Sequence, residues 1–457
     1  MTLRADTEAP PAGGEPAISP RYANYVLGLL FLVYVFNFID RQILSILLDP
    51  IKAELGVSDS AMGFLTGLAF ALFYTVAGIP IARWADSGTR RTIIALGLFA
   101  WSAATACSGL ARNFLQLALA RVAVGVGEAA GSPPAHSLIS DYFPPERRAT
   151  AISIYSSGIY VGVMFGYLAG GWLGELFSWR IAFFVVGLPG VVLAVVVRAT
   201  VREPVRGRTE RGVTGHGRAE SGAVDAGRES AREVARFLMA RRTFVLAALG
   251  CGLTAFSGYG FGAWVPAFLG RVRGMSGGEI GTWIGLANGI TGAAGSILGG
   301  YAADRLGVRD LRWYLWVPAL TTLAAIPLAI PFLLIENEVV ALAFYFPFNF
   351  FGSAFLGPVI AVTYSLVKVR MRALASAILL FILNLIGLGA GPQVVGILND
   401  LLAGRFGVEA VRYSLLIVDL LAVSAVVLFA LAARTLKRDL AASDPSTAAA
   451  ETAAEAP

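Results

Sequence analysis

Charge is what this chain has least of. Only 14% of its 457 residues are Asp, Glu, Lys or Arg, against roughly 25% in a soluble globular domain, which excludes an ordinary water-soluble enzyme. Histidine occurs twice and cysteine twice, and Cys107 and Cys251 each sit in an apolar stretch. Neither residue type has metal-ligand or disulfide-framework spacing, so no metal site and no cofactor are expected. A nucleophile with a base is equally lacking, which argues against a membrane-embedded lipid-modifying enzyme. No Gly-x-x-x-x-Gly-Lys-Ser/Thr run occurs, so ATP has no evident place to act. The net charge of +6 does not point to nucleic acid, because the basic residues lie in short loops between apolar segments and not on one folded face.

What the chain does have is apolar length. Hydrophobic residues make up 56% of it and the mean hydropathy is +0.70. Many of its 52 glycines and 21 prolines fall inside long apolar runs, a habit of transmembrane helices. The first run, about Ala23 to Leu48, is too long for a signal peptide core. Further runs start near Ala61, Thr92, Phe114, Thr150, Arg180, Thr243, Glu279, Trp313, Glu338, Ala373 and Val411. Each is long enough to cross a hydrocarbon layer roughly 30 Å thick. The expectation is therefore an all-α membrane protein of about twelve transmembrane helices.

Loop charge sets the orientation. Arg83, Arg90 and Arg91, then Arg147 and Arg148, then Arg305, Arg309 and Arg312, then Lys368, Arg370 and Arg372 fall on alternate loops. The positive-inside rule puts those loops and both termini in the cytoplasm, in a plasma (inner) membrane. Arg271 and Arg273 are the exception to the alternation. The expected organisation is a tail over 1–22, a six-helix bundle over 23–199, a cytoplasmic linker over 200–242, a second six-helix bundle over 243–436 and a disordered tail over 437–457. Within the linker, Val234, Phe237 and Leu238 fall on one helical face, which fits a short helix on the membrane surface or a solvated connector.

The chain contains an internal repeat. Ala82-Arg-Trp-Ala-Asp86-Ser-Gly-Thr-Arg90-Arg91 follows the second span, and Gly300-Tyr-Ala-Ala-Asp304-Arg305-Leu-Gly307-Val-Arg309 follows the eighth. The two aspartates lie about half a chain apart, as a duplicated six-helix unit requires. These loops resemble the signature loop of the major facilitator superfamily. The second matches its Gly-x-x-x-Asp-Arg-x-Gly-x-Arg form closely. The first departs from it at Ala82, Ser87 and Thr89. The resemblance implies two pseudo-symmetric bundles, with Asp86 and Asp304 as latches of the cytoplasmic gate and Arg90, Arg91 and Arg305 supporting them; a solvated, orientation-setting charge cluster is the other reading.

Charges inside the spans are costly and need partners or a wet cavity. The first span carries Asn37, Asp40 and Arg41, and the fourth carries Arg121 and Glu128. Asp40 lies about 12 Å below the outer end of its helix, Arg121 about 10 Å and Glu128 about 20 Å below theirs. The superfamily resemblance implies that the first and fourth helices line a central cavity, so an Asp40–Arg121–Glu128 network facing it is expected, with Asp40 and Glu128 exchanging protons as hydration changes with conformation. A permanent structural ion pair is the alternative. Arg41 pairs near Asp40 or snorkels outward. Asp419, in the last span, reads as an isolated group, either boundary-facing or buried by packing.

Three further stretches, Asn37-Phe-Ile-Asp40-Arg41-Gln-Ile-Leu44, Gly125-Val-Gly-Glu128-Ala129 and Pro145-Glu-Arg-Arg-Ala149, together with Leu55-Gly-Val-Ser-Asp59, resemble the spinster-like branch. That resemblance implies export of lysolipids or phosphorylated sphingoid bases, in some members coupled to protons. Phe256, Tyr259 and Trp264 on the seventh span, with Tyr345, Phe348 and Asn349 on the tenth, would give the cavity an aromatic wall opposite its ionic one. Such a cavity suits a small anionic or zwitterionic amphiphile, its head group on Arg121, with Asn37 and Arg41 in the same charge network. The partners expected are the bilayer, that substrate and protons, around a monomer. A symporter of small organic anions is the rival, and it needs a further basic residue deep in the second half. Glycines at 158, 162, 166 and 170 form a ladder that serves either close helix packing or, with Gly387, Gly389 and Gly391, a sliding seam between halves.

Overall fold

The computed structural model describes residues 18–207, 230–368 and 371–441. Most of the expected N-terminal tail, the middle of the linker, Arg370 and most of the C-terminal tail lie outside the described residues. Among those described, the chain is helical throughout. Ten stretches are long and apolar enough to cross a membrane. The last of them, Arg372–Ala441, contains two rods, 372–406 and Ala410–Ala441. Another rod, 277–307, is interrupted by a π-helical turn at Ala287–Thr291, and with it the described residues contain twelve.

Helices satisfy their backbone groups internally, the condition for residing in hydrocarbon. Their free first-turn N–H groups are met by side chains where the sequence offers them: Ser19 accepts from Tyr22, Asn113 from Gln116, Ser178 from Ile181 and Asn337 from Val340. The outer faces carry exposed large apolar residues such as Leu115, Val192, Ile297 and Leu401, which suit a lipid surround. The expected short helix forms over Ala231–Met239, with Ser230 and Glu233 closing a capping box. Its apolar face is covered by protein, since Val234 and Leu238 are fully buried in a cluster with Leu366, Met371 and Leu436.

The glycine ladder binds the fifth span (Pro145–Leu176) to the first (Pro20–Ile46) inside one half. A Cβ at Gly162 would stand 2.5 Å from the Val35 carbonyl and 2.6 Å from the Phe38 Cβ, and one at Gly166 would stand 2.9 Å from the Gln42 Cβ. These glycines therefore pack and do not slide. Of the expected counterpart, Gly387 and Gly391 press on Ala255 and Phe256 of their own half. Gly389 alone of that counterpart lies at the seam between halves, against Gly67, and the other seam glycines are new: Gly171 meets Gly277 and Gly281, Gly281 meets the Tyr167 carbonyl, and Gly63 meets Pro392.

Candidate functional site

Between the two halves lies a cavity of about 260 Å³. The first half contributes Phe38, Arg41, Phe70 and Arg121 to its wall, and the second contributes Tyr259, Asn288, Phe355 and Leu383. Arg41 Nε donates to Glu128 Oε2 at 2.7 Å. Its guanidinium lies 4.8 Å from the Phe38 ring centroid and 4.9 Å from those of Phe70 and Tyr74, so aromatic faces take the place of part of its hydration. Arg121 is buried; its Nη1 donates to the Asp40 backbone carbonyl at 3.2 Å, and its guanidinium sits 5.6 Å from the Phe70 centroid.

Asp40, Glu128 and Asn37 are buried behind that wall. Neither Asp40 carboxyl oxygen has a hydrogen-bond partner, nor has Glu128 Oε1 or Asn37 Oδ1. The structure thus brings together the residues the sequence singled out, but with a different pairing from the one expected: Arg41 holds Glu128, while Arg121 reaches Asp40 through the backbone. Neighbouring residues on a helix point about 100° apart. Where Asp40 turns into its own bundle, Arg41 turns to the cavity.

The aromatic residues divide. Tyr259 lines the central cavity. Tyr345, Phe348 and Asn349 line an adjoining chamber of about 70 Å³ inside the second half. Phe256 and Trp264 are buried in the core, where the Trp264 indole N–H donates to the Pro392 carbonyl at 2.8 Å. Asp419 also lines the adjoining chamber, a placement its isolation in the sequence did not reveal.

At the signature-loop end, Arg90 is buried and donates to Asp141 at 2.5 Å and to Glu203 at 2.7 Å. The Arg91 backbone N–H donates to Glu203 at 2.9 Å, and Arg206 donates to the Ala85 and Gly88 carbonyls, each at 2.7 Å. Asp86 and Asp304 are exposed. Asp304 accepts from the Tyr314 hydroxyl at 2.8 Å and Arg305 donates to the Tyr301 hydroxyl at 3.1 Å. For Arg90, Arg91, Asp304 and Arg305 these bonds stay within one half or, through Glu203, reach the start of the linker, and none of them crosses to the other half.

Hydrogen bonds and ion pairs that cross between halves cluster at the opposite end. Arg271 binds Asp59 and Asp49, each at 2.5 Å. Asn399 adds a contact to Asp59 at 3.0 Å, and from within the first half Lys52 meets Asp59 at 2.6 Å. Asp400 accepts from the Ser60 hydroxyl at 2.5 Å and from its backbone N–H at 2.8 Å. Glu175 accepts from the Gly278 N–H at 2.6 Å. The cleft is sealed at this clasp. Sequence reasoning assigned the clasp no role, yet it held the signal: Arg271, which breaks the charge alternation of the loops, is the cation that pairs with Asp49 and Asp59 of the first half.

The sequence profile described as Major Facilitator Superfamily matches residues 30–392. An MFS-type efflux pump of Mycolicibacterium smegmatis is 35% identical over 422 residues, 92% of this chain and 95% of that protein. A probable galactarate/D-glucarate transporter of Bacillus subtilis is 29% identical over 296 residues, 62% of this chain and 65% of that protein. Among solved structures, a bacterial homologue of the human lysosomal transporter spinster, in an inward-facing and unoccupied conformation, is 33% identical and superposes with a TM-score of 0.83, covering 92% of this chain and 99% of the other.

Proposed function

The chain belongs to the major facilitator superfamily and resembles its spinster-like branch; from that premise we propose that it carries an anionic or zwitterionic, lipid-like amphiphile by alternating access, coupled to protons. One observation carries the proposal: two guanidiniums, Arg41 and Arg121, line one side of a cavity whose other lining is mostly apolar and aromatic. An acidic head group meets the guanidiniums through charge-assisted hydrogen bonds, while a hydrocarbon chain lies on Phe355 and Leu383. The signature-loop end faces the cytoplasm on this reading, as the loop charges require.

Coupling follows from the carboxyls behind the wall. A buried ionised carboxylate without hydrogen bonds is costly, so Asp40 carries its proton in the sealed environment and releases it when the cleft hydrates it. Glu128 is neutralised by Arg41. An anionic head group that competes for Arg41 frees Glu128 to take up a proton, which links cargo to protonation.

The test is binding by purified protein, read as thermal stabilisation. Arg121→Ala weakens an anionic amphiphile more than an uncharged one of equal chain length; equal losses overturn head-group recognition. Transport of small organic anions, suggested by the Bacillus relative, is the second reading. Among the described residues lining the cavity, the second half supplies no Lys or Arg to grip the far end of a dicarboxylate, which favours the amphiphile.

A further inference from the structure

The chamber beside the central cavity has a chemistry opposite to that of the arginine wall. Asp419, on the last helix (Ala410–Ala441), is 2% exposed and lines it. Its Oδ2 has no hydrogen-bond partner, and neither has the buried Thr322 Oγ1 facing the same space. No salt bridge involves Asp419 among the described residues, and none of the other described lining residues is charged, Tyr345 being the one other titratable group. Of the other polar side chains, Thr254 donates to the Gly250 carbonyl, Asn288 to the Ile284 carbonyl and the Tyr345 hydroxyl, and Asn349 to the Ala287 carbonyl, while Ser257 also lines the space.

The rest of the lining is small or aliphatic apart from three aromatic rings, Phe261, Tyr345 and Phe348. The Phe261 and Phe348 centroids are 4.8 Å apart, and those of Tyr345 and Phe348 are 5.9 Å apart. A carboxylate among ring faces is the environment of an organic ammonium group, held by charge and by cation–π attraction. Two unsatisfied side-chain oxygens fall short of the shell of six or more that a hard metal cation takes. The volume of about 70 Å³ exceeds the roughly 30 Å³ that one water occupies in the liquid, so a substituted ammonium has room. Gly258, Gly262 and Asn288 line both this chamber and the central cavity, so the two spaces lie side by side across a shared wall.

We propose that the Asp419 chamber is an ammonium subsite, so that the transport cleft is dipolar: guanidiniums in the first half take the acidic group of a cargo and a carboxylate in the second half takes its amine. The inference rests on the amphiphile reading for the identity of the cargo, and on the chamber alone for the chemistry of the site. A molecule bearing both charges bridges the halves, which ties their relative movement to an intact zwitterion.

Two measurements test it on the full chain in detergent. In the first, lysophosphatidylethanolamine and lysophosphatidic acid of one acyl length are titrated against wild type and Asp419→Asn. The ethanolamine lipid binds wild type about tenfold or more tightly than the acid, as a charge-assisted contact provides, and Asp419→Asn removes that preference while leaving lysophosphatidic acid unchanged. Equal affinities in wild type, or a preference that survives in Asp419→Asn, overturn the subsite. So does a variant whose pH profile changes while its ammonium preference does not, since Asp419 is then a proton site. The second measurement needs no lipid. Ser257→Cys in a Cys107→Ser background is labelled with aminoethyl and sulfonatoethyl methanethiosulfonates. The cationic reagent reacts about tenfold faster, and adding Asp419→Asn cancels the difference; a ratio indifferent to Asp419 overturns the proposal. If neither lysolipid binds, the amphiphile reading fails and the labelling ratio alone decides the subsite.

Discussion

Arg271 Nη1 lies 2.5 Å from Asp59 Oδ2, joining the seventh span to the second across the boundary between halves. Asp59 is buried, so removing the guanidinium leaves a carboxylate short of its main partner, at a cost of about 1–3 kcal/mol to the sealed state. Arg271→Ala therefore shifts the population towards opening at this end. Distance measurements between labels on the two rims read the shift, and an unchanged distribution removes the clasp from gating.

Asp40→Asn and Glu128→Gln abolish pH-driven transport in reconstituted vesicles while the protein keeps its elution profile and melting behaviour. Arg41→Ala is the sharper case, because it leaves Glu128 without its ion-pair partner. It disturbs the pH dependence as strongly as Glu128→Gln, and a profile like that of wild type separates the pair from coupling.

Asp304 is bonded within its own half in this conformation. Asp304→Asn consequently leaves the clasp-sealed state intact and destabilises the opposite one. A label pair across the signature loops reports fewer molecules closed at that end; equal populations reduce the loop to setting topology.

A Cβ at Gly281 would collide with the Tyr167 backbone carbonyl, whereas one at Gly300 would meet nothing within 4 Å. Gly281→Leu wedges the seam apart at the clasp end and stops transport, with Gly300→Leu near wild type. Equal activity in both variants shows that the seam does not require close backbone approach.

Outside the spans, on Leu48–Leu55, Glu54 accepts from Arg180 at 2.5 Å and from the Trp179 indole N–H at 2.6 Å. The Arg180 guanidinium foremost, with that indole, holds the Glu54 carboxyl below its ordinary value of 4.5. A lowered carboxyl contributes stability that is full above the unfolded value and lost as pH falls through the folded one. Acidification below about pH 4.5 therefore costs wild type this contribution, and Glu54→Gln, which never has it, shows a flatter melting curve against pH there. Parallel curves for the two proteins exclude the contact as a source of acid sensitivity.

The spans and the duplicated loops were legible because both are written in one dimension: apolar length and the distance between two aspartates. The buried charges were legible as a group for the same reason, since a charge in hydrocarbon needs a cause wherever it points. Rotation about the helix axis was not. Asp40 and Arg41 are adjacent in the chain and face different surroundings, and only the packing of the first span on the fifth, fixed by Gly162 and Gly166 against Val35, Phe38, Ile39 and Gln42, settles which one reaches the cavity. Asp419 was legible as isolated and buried but not as part of a chamber, because a lone carboxylate in the last helix has no sequence partner and its chamber is assembled from four other spans. Arg90 and Arg91 were expected to serve Asp86; the acids they bind, Asp141 and Glu203, are about 50 and 110 residues further along the chain.

The wide turn at Ala287–Thr291 has a consequence for everything downstream of it in the same rod. A π-turn holds one residue more than an α-turn, and each residue is worth about 100° of azimuth. Rewinding the turn as regular α-helix with every residue kept would swing the far portion, Asp304 included, by over a quarter of a revolution, whereas deleting one residue there, Ile290 for instance, would restore regular winding and leave that portion facing nearly as it does. The wide turn thus absorbs a surplus residue, and the compass bearing of the second signature loop, more than a dozen positions downstream, survives the loss of that residue.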